Sequence, residues 1–114
     1  MKYPAYRPRR MRRTEKLREL VRETDFSLKA LVMPYFVKEG RNEKEPIEAL
    51  PGQYRFTLDP LLVELEEIQK LGLSNVILFG IPAEKDELAT SAFQAQGVVQ
   101  KALRSIKKEF PELF

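Results

Sequence analysis

The sequence predicts an α/β protein assembled from parallel strand–helix units and opened by an extended basic arm. Two short apolar runs, Ala30–Val37 and Val76–Phe79, carry β-branched and aromatic residues without polar alternation, as strands buried on both faces of a parallel sheet do. Downstream of each run lies a segment whose apolar residues recur at helical spacing. The resulting order of strand, helix, strand, helix calls for crossover connections, and hence for parallel pairing.

Residues 1–13, MKYPAYRPRRMRR, form the arm. Pro4 and Pro8 lack amide donors and keep the residues before them out of the helical region, while neighbouring arginines repel one another. A helix follows, with Thr14 as N-cap and Leu17, Leu20, Val21 and Thr24 as one buried stripe, ending near Thr24. Within the strand Ala30–Val37, Pro34 cannot donate to a ladder, so a bulge or a neighbour on one side only is expected there. Residues 38–57 read as a long polar connection. Pro51-Gly52 forms a turn in it, and Gln53–Phe56 a short extended piece.

The second helix is the clearest element. Asp59 stands as N-cap and Pro60 at the first helical position, where its missing amide costs nothing. Leu61, Leu65, Ile68 and Gly72 share a face, and Gly72 fits a left-handed C-terminal cap. After Ser74-Asn75 the strand Val76–Phe79 runs to Gly80-Ile81-Pro82, and a polar loop spans Ala83–Gln96. Val99, Leu103, Ile106 and Phe110 mark a third helix, which Pro111 ends and whose C-terminal dipole Lys107 and Lys108 complement. Glu112-Leu113-Phe114 reads as the lead-in to another strand. Two strands cannot complete the sheet that such units require, and a closed barrel of this type takes about 250 residues. The 114 residues are therefore expected to be the front portion of a larger α/β protein, 14–114 being the first part of its domain.

Composition narrows the chemistry. Apolar residues make up 43% and charged residues 32%, which suits a globular chain. Neither Cys nor His occurs, so disulfides, thiol nucleophiles, imidazole bases and zinc fingers are excluded from this stretch. No apolar run approaches bilayer length and no secretory leader is visible, so the cytoplasm is the expected location. Residues 1–22 hold nine Lys and Arg against two acids, a net +7, which leaves −4 for the remainder. The arm arginines Arg7, Arg9, Arg10, Arg12 and Arg13 suit nucleic-acid phosphates, an acidic protein surface or plain solvation. Tyr3 and Tyr6 are available to stack on bases.

Lys38 and Lys85 lie just past strand ends, on the side where barrel enzymes assemble their sites, and a desolvated lysine there could form a Schiff base. Glu39 beside Lys38, and Glu84 and Asp86 beside Lys85, instead favour the charged ammonium. The cluster Glu84, Asp86, Glu87 could hold a hard cation such as magnesium, but its spacing matches no calcium loop and a solvated loop accounts for it. Gly80 stands alone, so no nucleotide-binding fingerprint exists.

Several strings in succession resemble one family, porphobilinogen synthase, also called 5-aminolevulinate dehydratase. They are Arg7-Pro-Arg-Arg-Met-Arg-Arg13, Met33-Pro-Tyr-Phe-Val37 and Leu50-Pro-Gly-Gln-Tyr-Arg-Phe56, then Val76-Ile-Leu-Phe-Gly-Ile-Pro82 with Lys85-Asp-Glu87, Gly97-Val-Val-Gln-Lys-Ala102 and Phe110-Pro-Glu-Leu113. One departure is Ala89-Thr90, where the family often has a glycine followed by a serine; it affects a loop.

The resemblance implies a (β/α)8 TIM barrel whose arm embraces a neighbouring subunit of a homo-oligomer, typically an octamer. It also implies condensation of two 5-aminolevulinate molecules to porphobilinogen, with two Schiff-base lysines and zinc or magnesium assisting. Those lysines, the metal segment and the substrate-carboxylate ligands lie beyond the family's counterpart of Phe114, and none of the ten lysines here matches them. The resemblance thus assigns no catalytic and no metal residue to this segment, which alone is expected to be inactive. It makes the arm arginines a subunit-interface element, nucleic acid an unlikely partner, and Phe79 a neighbour of the substrate pocket, although a buried strand phenylalanine explains Phe79 as well. The alternative is a non-enzymatic binding module using its basic arm on an acidic protein or nucleic acid.

Overall fold

The computed structural model describes residues 5 and 7–114. Tyr3, Pro4 and Tyr6 of the expected arm lie outside the described residues. The rest of the arm is not wholly extended: Arg12 N–H donates to the Arg9 carbonyl at 3.0 Å, and Arg10–Arg12 form a 3-10 turn. Thr14 caps helix α1 (Glu15–Leu20) as expected, its hydroxyl accepting from Leu17 N–H at 3.1 Å. The helix stops at Leu20 rather than near Thr24, and its apolar stripe is not buried: Leu20 is 80% exposed. Helix α1 packs on the arm turn and has no comparable contact with the sheet. The radius of gyration, 21.5 Å, accordingly exceeds the ~13 Å of a compact chain this long.

Residues Leu28–Ala30 make a second 3-10 turn, so strand β1 begins at Met33 and runs to Lys38. It pairs in parallel with β4 (Val76–Ile81) along its whole length, from Met33 opposite Val76 to Lys38 opposite Ile81. On its other side β3 (Tyr54–Phe56) pairs in parallel with Phe36 and Val37 alone. Pro34 thus has a ladder neighbour on one side only, which reconciles it with a strand interior.

The polar connection hides an extra strand. β2 (Lys44–Pro46) pairs antiparallel with β3, giving the sheet order β2-β3-β1-β4. The hairpin closes where Gln53 N–H donates to Leu50 O at 3.0 Å, with Pro51 and Gly52 (φ +83°) at the central positions that a type II turn requires.

Helix α2 (Leu58–Lys70) carries β3 across to β4. Its N-cap is Thr57, not Asp59, and Pro60 falls third, still among the residues whose amides have no intrahelical acceptor. Fully buried Thr57 directs its hydroxyl to the hairpin instead of the helix, accepting from Glu43 N–H (2.9 Å) and donating to Glu43 O (3.2 Å). Leu61, Leu65 and Ile68 are buried on one stripe, as their spacing predicts. Gly72, at φ +90°, closes a Schellman motif: its N–H donates to Gln69 O (2.9 Å) and Leu73 N–H to Ile68 O (3.0 Å).

Helix α3 (Thr90–Phe93) interrupts what the sequence reads as a plain loop, and α4 (Val98–Glu109) follows. Its buried residues are Ala102 and Ile106; Val99 and Leu103 instead line a groove along the outer edge of β4, leaving Leu103 46% exposed. Tyr35, Val37, Phe56, Leu61, Leu65, Ile68, Ala102, Ile106 and Leu113 make one core between the sheet and helices α2 and α4. At the chain's end Phe114 N–H donates to Ser74 O (2.9 Å) and Phe114 O accepts from Val76 N–H (2.8 Å), the bonding of a parallel neighbour to β4.

Candidate functional site

In a parallel sheet the strand ends that precede helices gather on one side, where βα loops build sites. Here that side holds the ends of β1 and β4, the connection after Lys38 and the segment 82–97. Side chains alternate along each strand, so Tyr35 and Val37 enter the helix-covered core while Pro34, Phe36 and Lys38 take the opposite face. On β4 the corresponding face carries Ile77 and Phe79, 46% and 47% exposed. The sequence predicts β4 buried on both faces; nothing among the described residues covers this one, so the expectation fails there.

Phe79 sits opposite Phe36 in the ladder, with ring centroids 5.6 Å apart and planes 28° from parallel. Phe36 and Lys38 project from the same side of β1, two residues apart. Phe36 escapes a reading of the sequence because its pairing with Phe79 depends on the register between two strands 43 residues apart.

Lys38 is held by the hairpin. Its Nζ lies 2.6 Å from Glu43 and 3.1 Å from Glu45, and Glu45 also bonds Arg55 at 3.2 Å. The hydrogen bonds to Glu43 and then Glu45 hold the Lys38 pKa above the ordinary lysine value. It stays protonated, the wrong state for attack on a carbonyl. The sequence names Glu39 as the stabilising neighbour; the carboxylates that act are Glu43 and Glu45, brought in by a hairpin that local sequence does not announce.

Lys85 occupies a different place. It lines a cavity of 450 Å³ between the 82–97 segment, the end of β4 and the start of α4, with Gly80, Pro82, Ser91, Val99 and Gln100. Lys38 lines a separate groove with Gly40, Arg41, Leu58, Val98 and Lys101. The two lysines line different cavities.

Asp86 is engaged inside its own loop, accepting from Thr90 N–H at 2.8 Å and from the Thr90 hydroxyl. The hydroxyl bond first, and then the backbone bond, keep its pKa below the usual aspartate value. No group of three acidic side chains that could hold a metal ion exists among the described residues. Glu43 and Glu45 are committed to Lys38, and Asp86 to Thr90. The residues present do not fit the zinc or magnesium that the resemblance implies.

The arm arginines Arg7, Arg9, Arg10, Arg12 and Arg13 are all exposed and far from these strand ends in sequence. On the core side the Tyr35 hydroxyl is buried without a hydrogen-bond partner. Burial, reinforced by the negative charge of Glu64, pushes its pKa up.

Comparison with known proteins bears on all of this. The family model for delta-aminolevulinic acid dehydratase matches residues 5–114. The chain belongs to that family. A delta-aminolevulinic acid dehydratase of Methanothermus sociabilis is 44% identical over 109 residues, covering 96% of this chain and 34% of the relative. The Bacillus subtilis dehydratase is 42% identical, over 94% of this chain and 33% of its own length. A crystal structure of the Toxoplasma gondii dehydratase, in complex with its reaction product porphobilinogen, superposes with a TM-score of 0.83 at 31% identity. That match covers 96% of this chain and 31% of the Toxoplasma chain.

The chain thus spans about a third of the length of these three dehydratases. Its strands β1 and β4, with helices α2 and α4, are opening βα units of the dehydratase (β/α)8 barrel. Ala89 adopts φ +51°, a left-handed conformation natural to glycine. Among the described residues no helix is long and apolar enough to cross a membrane.

Proposed function

We propose that this chain is the N-terminal part of a porphobilinogen synthase, which joins two molecules of 5-aminolevulinate into porphobilinogen with release of two waters. The observation that carries the reading is family membership over residues 5–114, combined with an apolar sheet face that leaves Phe36 and Phe79 uncovered. In a barrel that face looks inward. Phe79, stacked on Phe36, then packs beside the substrate, and protonated Lys38 supplies fixed positive charge at the mouth. Neither transfers a proton. The Schiff-base lysines belong to chain outside these 114 residues, and this segment alone is inactive. Among the described residues no group of three acids is placed to hold a metal ion, so zinc or magnesium assisting the whole protein would be held by chain outside these 114 residues.

The arm arginines supply the contact to a neighbouring subunit of a homo-oligomer, of the octameric type that the resemblance implies, in the cytoplasm. This assigns residues 1–13 to assembly and 14–114 to the start of the barrel domain. The exposed stripe of α1, which the chain does not bury against itself, supports a partner for that region. No observation favours the alternative of a free-standing binding module.

The test is formation of porphobilinogen from 5-aminolevulinate by the purified protein at the length its source cell makes. Product from that protein, and none from the 114-residue chain, is the expected pair of results. Absence of product from the former overturns the reading.

A further inference from the structure

The segment between β4 and α4 has almost no apolar anchoring. Within 83–96 no residue is buried, and its large apolar side chains, Leu88 and Phe93, are 80% and 73% exposed. It nevertheless holds a left-handed Ala89 and a short helix, α3, conformations that persist only where neighbouring contacts impose them. Two side chains of α4, one helical turn apart, make the contacts from outside the segment. Gln100 Nε2 donates to Ala92 O at 2.6 Å, and Arg104 Nη2 donates to Ala95 O at 2.6 Å. Inside the segment the Asp86–Thr90 clasp closes its first half.

The junction with α4 has no slack. A Cβ on Gly97 would lie against Gln100 Oε1 and 2.5 Å from Ser91 O, and one on Gly80 would come within 2.5 Å of Val99 Cγ2. The backbone must approach the helix this closely for Gln100 to reach Ala92.

We propose that Gln100 and Arg104 are positioning residues that set the shape of the 83–97 segment and thereby the wall it adds to the substrate site at the C-terminal ends of the strands. The inference rests on the porphobilinogen synthase reading for what the wall serves. It rests on the two hydrogen bonds for how the wall is held. A single exposed hydrogen bond contributes on the order of a few-fold to a local opening equilibrium, and the two act on one segment. When only a fraction of the molecules hold the competent arrangement, apparent substrate affinity falls by that fraction while the chemistry of bound substrate is unchanged.

The experiment uses the protein at the length its source cell makes, with Gln100→Glu, which removes the donor at nearly constant volume, and Arg104→Met. Arg104→Lys, which keeps a donor, is the rescue variant. Two quantities are read: amide hydrogen exchange across 83–97, and KM and kcat for porphobilinogen formation. Exchange in 83–97 is expected to accelerate about tenfold in the double variant with strands β1 and β4 unaffected. KM is expected to rise about threefold or more with kcat within about twofold, and Arg104→Lys to recover most of the loss in the single variant.

Wild-type exchange in 83–97 in the double variant overturns the inference. So does accelerated exchange with an unchanged KM, which would make the bonds merely structural. Failure of the unaltered protein to form porphobilinogen defeats the reaction reading instead, and hydrogen exchange then still decides whether these two residues hold the segment.

Discussion

The two faces of one sheet behave differently in this chain. Toward the helices, Tyr35, Val37 and Phe56 are at most 4% exposed, and Leu61 and Leu65 of α2 are fully buried against them. On the opposite face, the neighbouring strand β4 presents Ile77 and Phe79 at 46% and 47% exposure. The residues are equally apolar. The difference is cover, not composition: α2 and α4 lie on one face, and no described residue lies over the other. Strand sequences without polar alternation specify two buried faces, and these 114 residues supply the means to bury one.

That contrast can be broken most sharply by paired truncations. Leu65→Ala removes a fully buried side chain from the covered face and should cost about 2–5 kcal/mol in urea unfolding. Phe79→Ala in the 114-residue chain should cost less than about 1 kcal/mol, because half the ring already meets solvent. At the natural length of the protein, Phe79→Ala should cost about 3–5 kcal/mol if further chain covers that face. Equal small losses in both contexts would mean that the face stays open.

Backbone substitutions come next in size and have opposite signs. Gly72→Ala puts a Cβ on a residue at φ +90°, 3.3 Å from Leu28 Cδ1, and should destabilise by about 1–2 kcal/mol by thermal unfolding. Ala89→Gly relieves a left-handed alanine at φ +51° and should stabilise by about 1 kcal/mol. A loss of stability there would show that the alanine methyl makes a contact worth more than the strain.

The hairpin's charges predict a pH response. The hydrogen bond from Lys38 leads in holding the Glu45 pKa below its ordinary value. A carboxylate shifted downward stabilises the fold above its unfolded pKa, and that contribution fades as pH falls from about 4.5 through the lower folded value. Lys38, shifted upward, contributes fully below the ordinary lysine pKa and loses its share as pH rises through the higher folded value. Lys38→Met should therefore flatten the acid limb of a plot of melting temperature against pH, modestly, since these groups meet solvent. The smallest expected change is in stability on deletion of residues 7–13, which have no buried side chain. Subunit association, measured by sedimentation, should weaken in the same variant.

Much of the helix-covered face was legible in the sequence. The spacing of Leu61, Leu65 and Ile68, together with Gly72, identified α2 and its left-handed stop. Strands β1 and β4 were visible as apolar runs. What local sequence does not show has physical reasons. β2 is three exposed residues, Lys44–Pro46, whose strand character comes wholly from pairing with β3. Helix α3 is a single turn maintained by contacts from elsewhere. Periodicity marked the apolar stripe of α1 but carries no information on whether a surface exists to receive it. For the candidate site, Lys38, Lys85 and Phe79 were found by position relative to strand ends. The partners that decide their state, Glu43, Glu45 and Phe36, depend on a hairpin and on strand register. Gln100 and Arg104 gave no signal, because a polar helix face looks the same whether it meets water or a carbonyl.

If the open face of this sheet is the inner wall of a barrel, further chain must complete it, and the intact mass of the protein from its source cell decides this most directly. A mass about three times the 13.3 kDa of these residues is expected, in keeping with three relatives of which the chain covers 34% or less. A mass of 13.3 kDa would contradict it, leaving Phe36 and Phe79 on a face that no part of the same chain can cover.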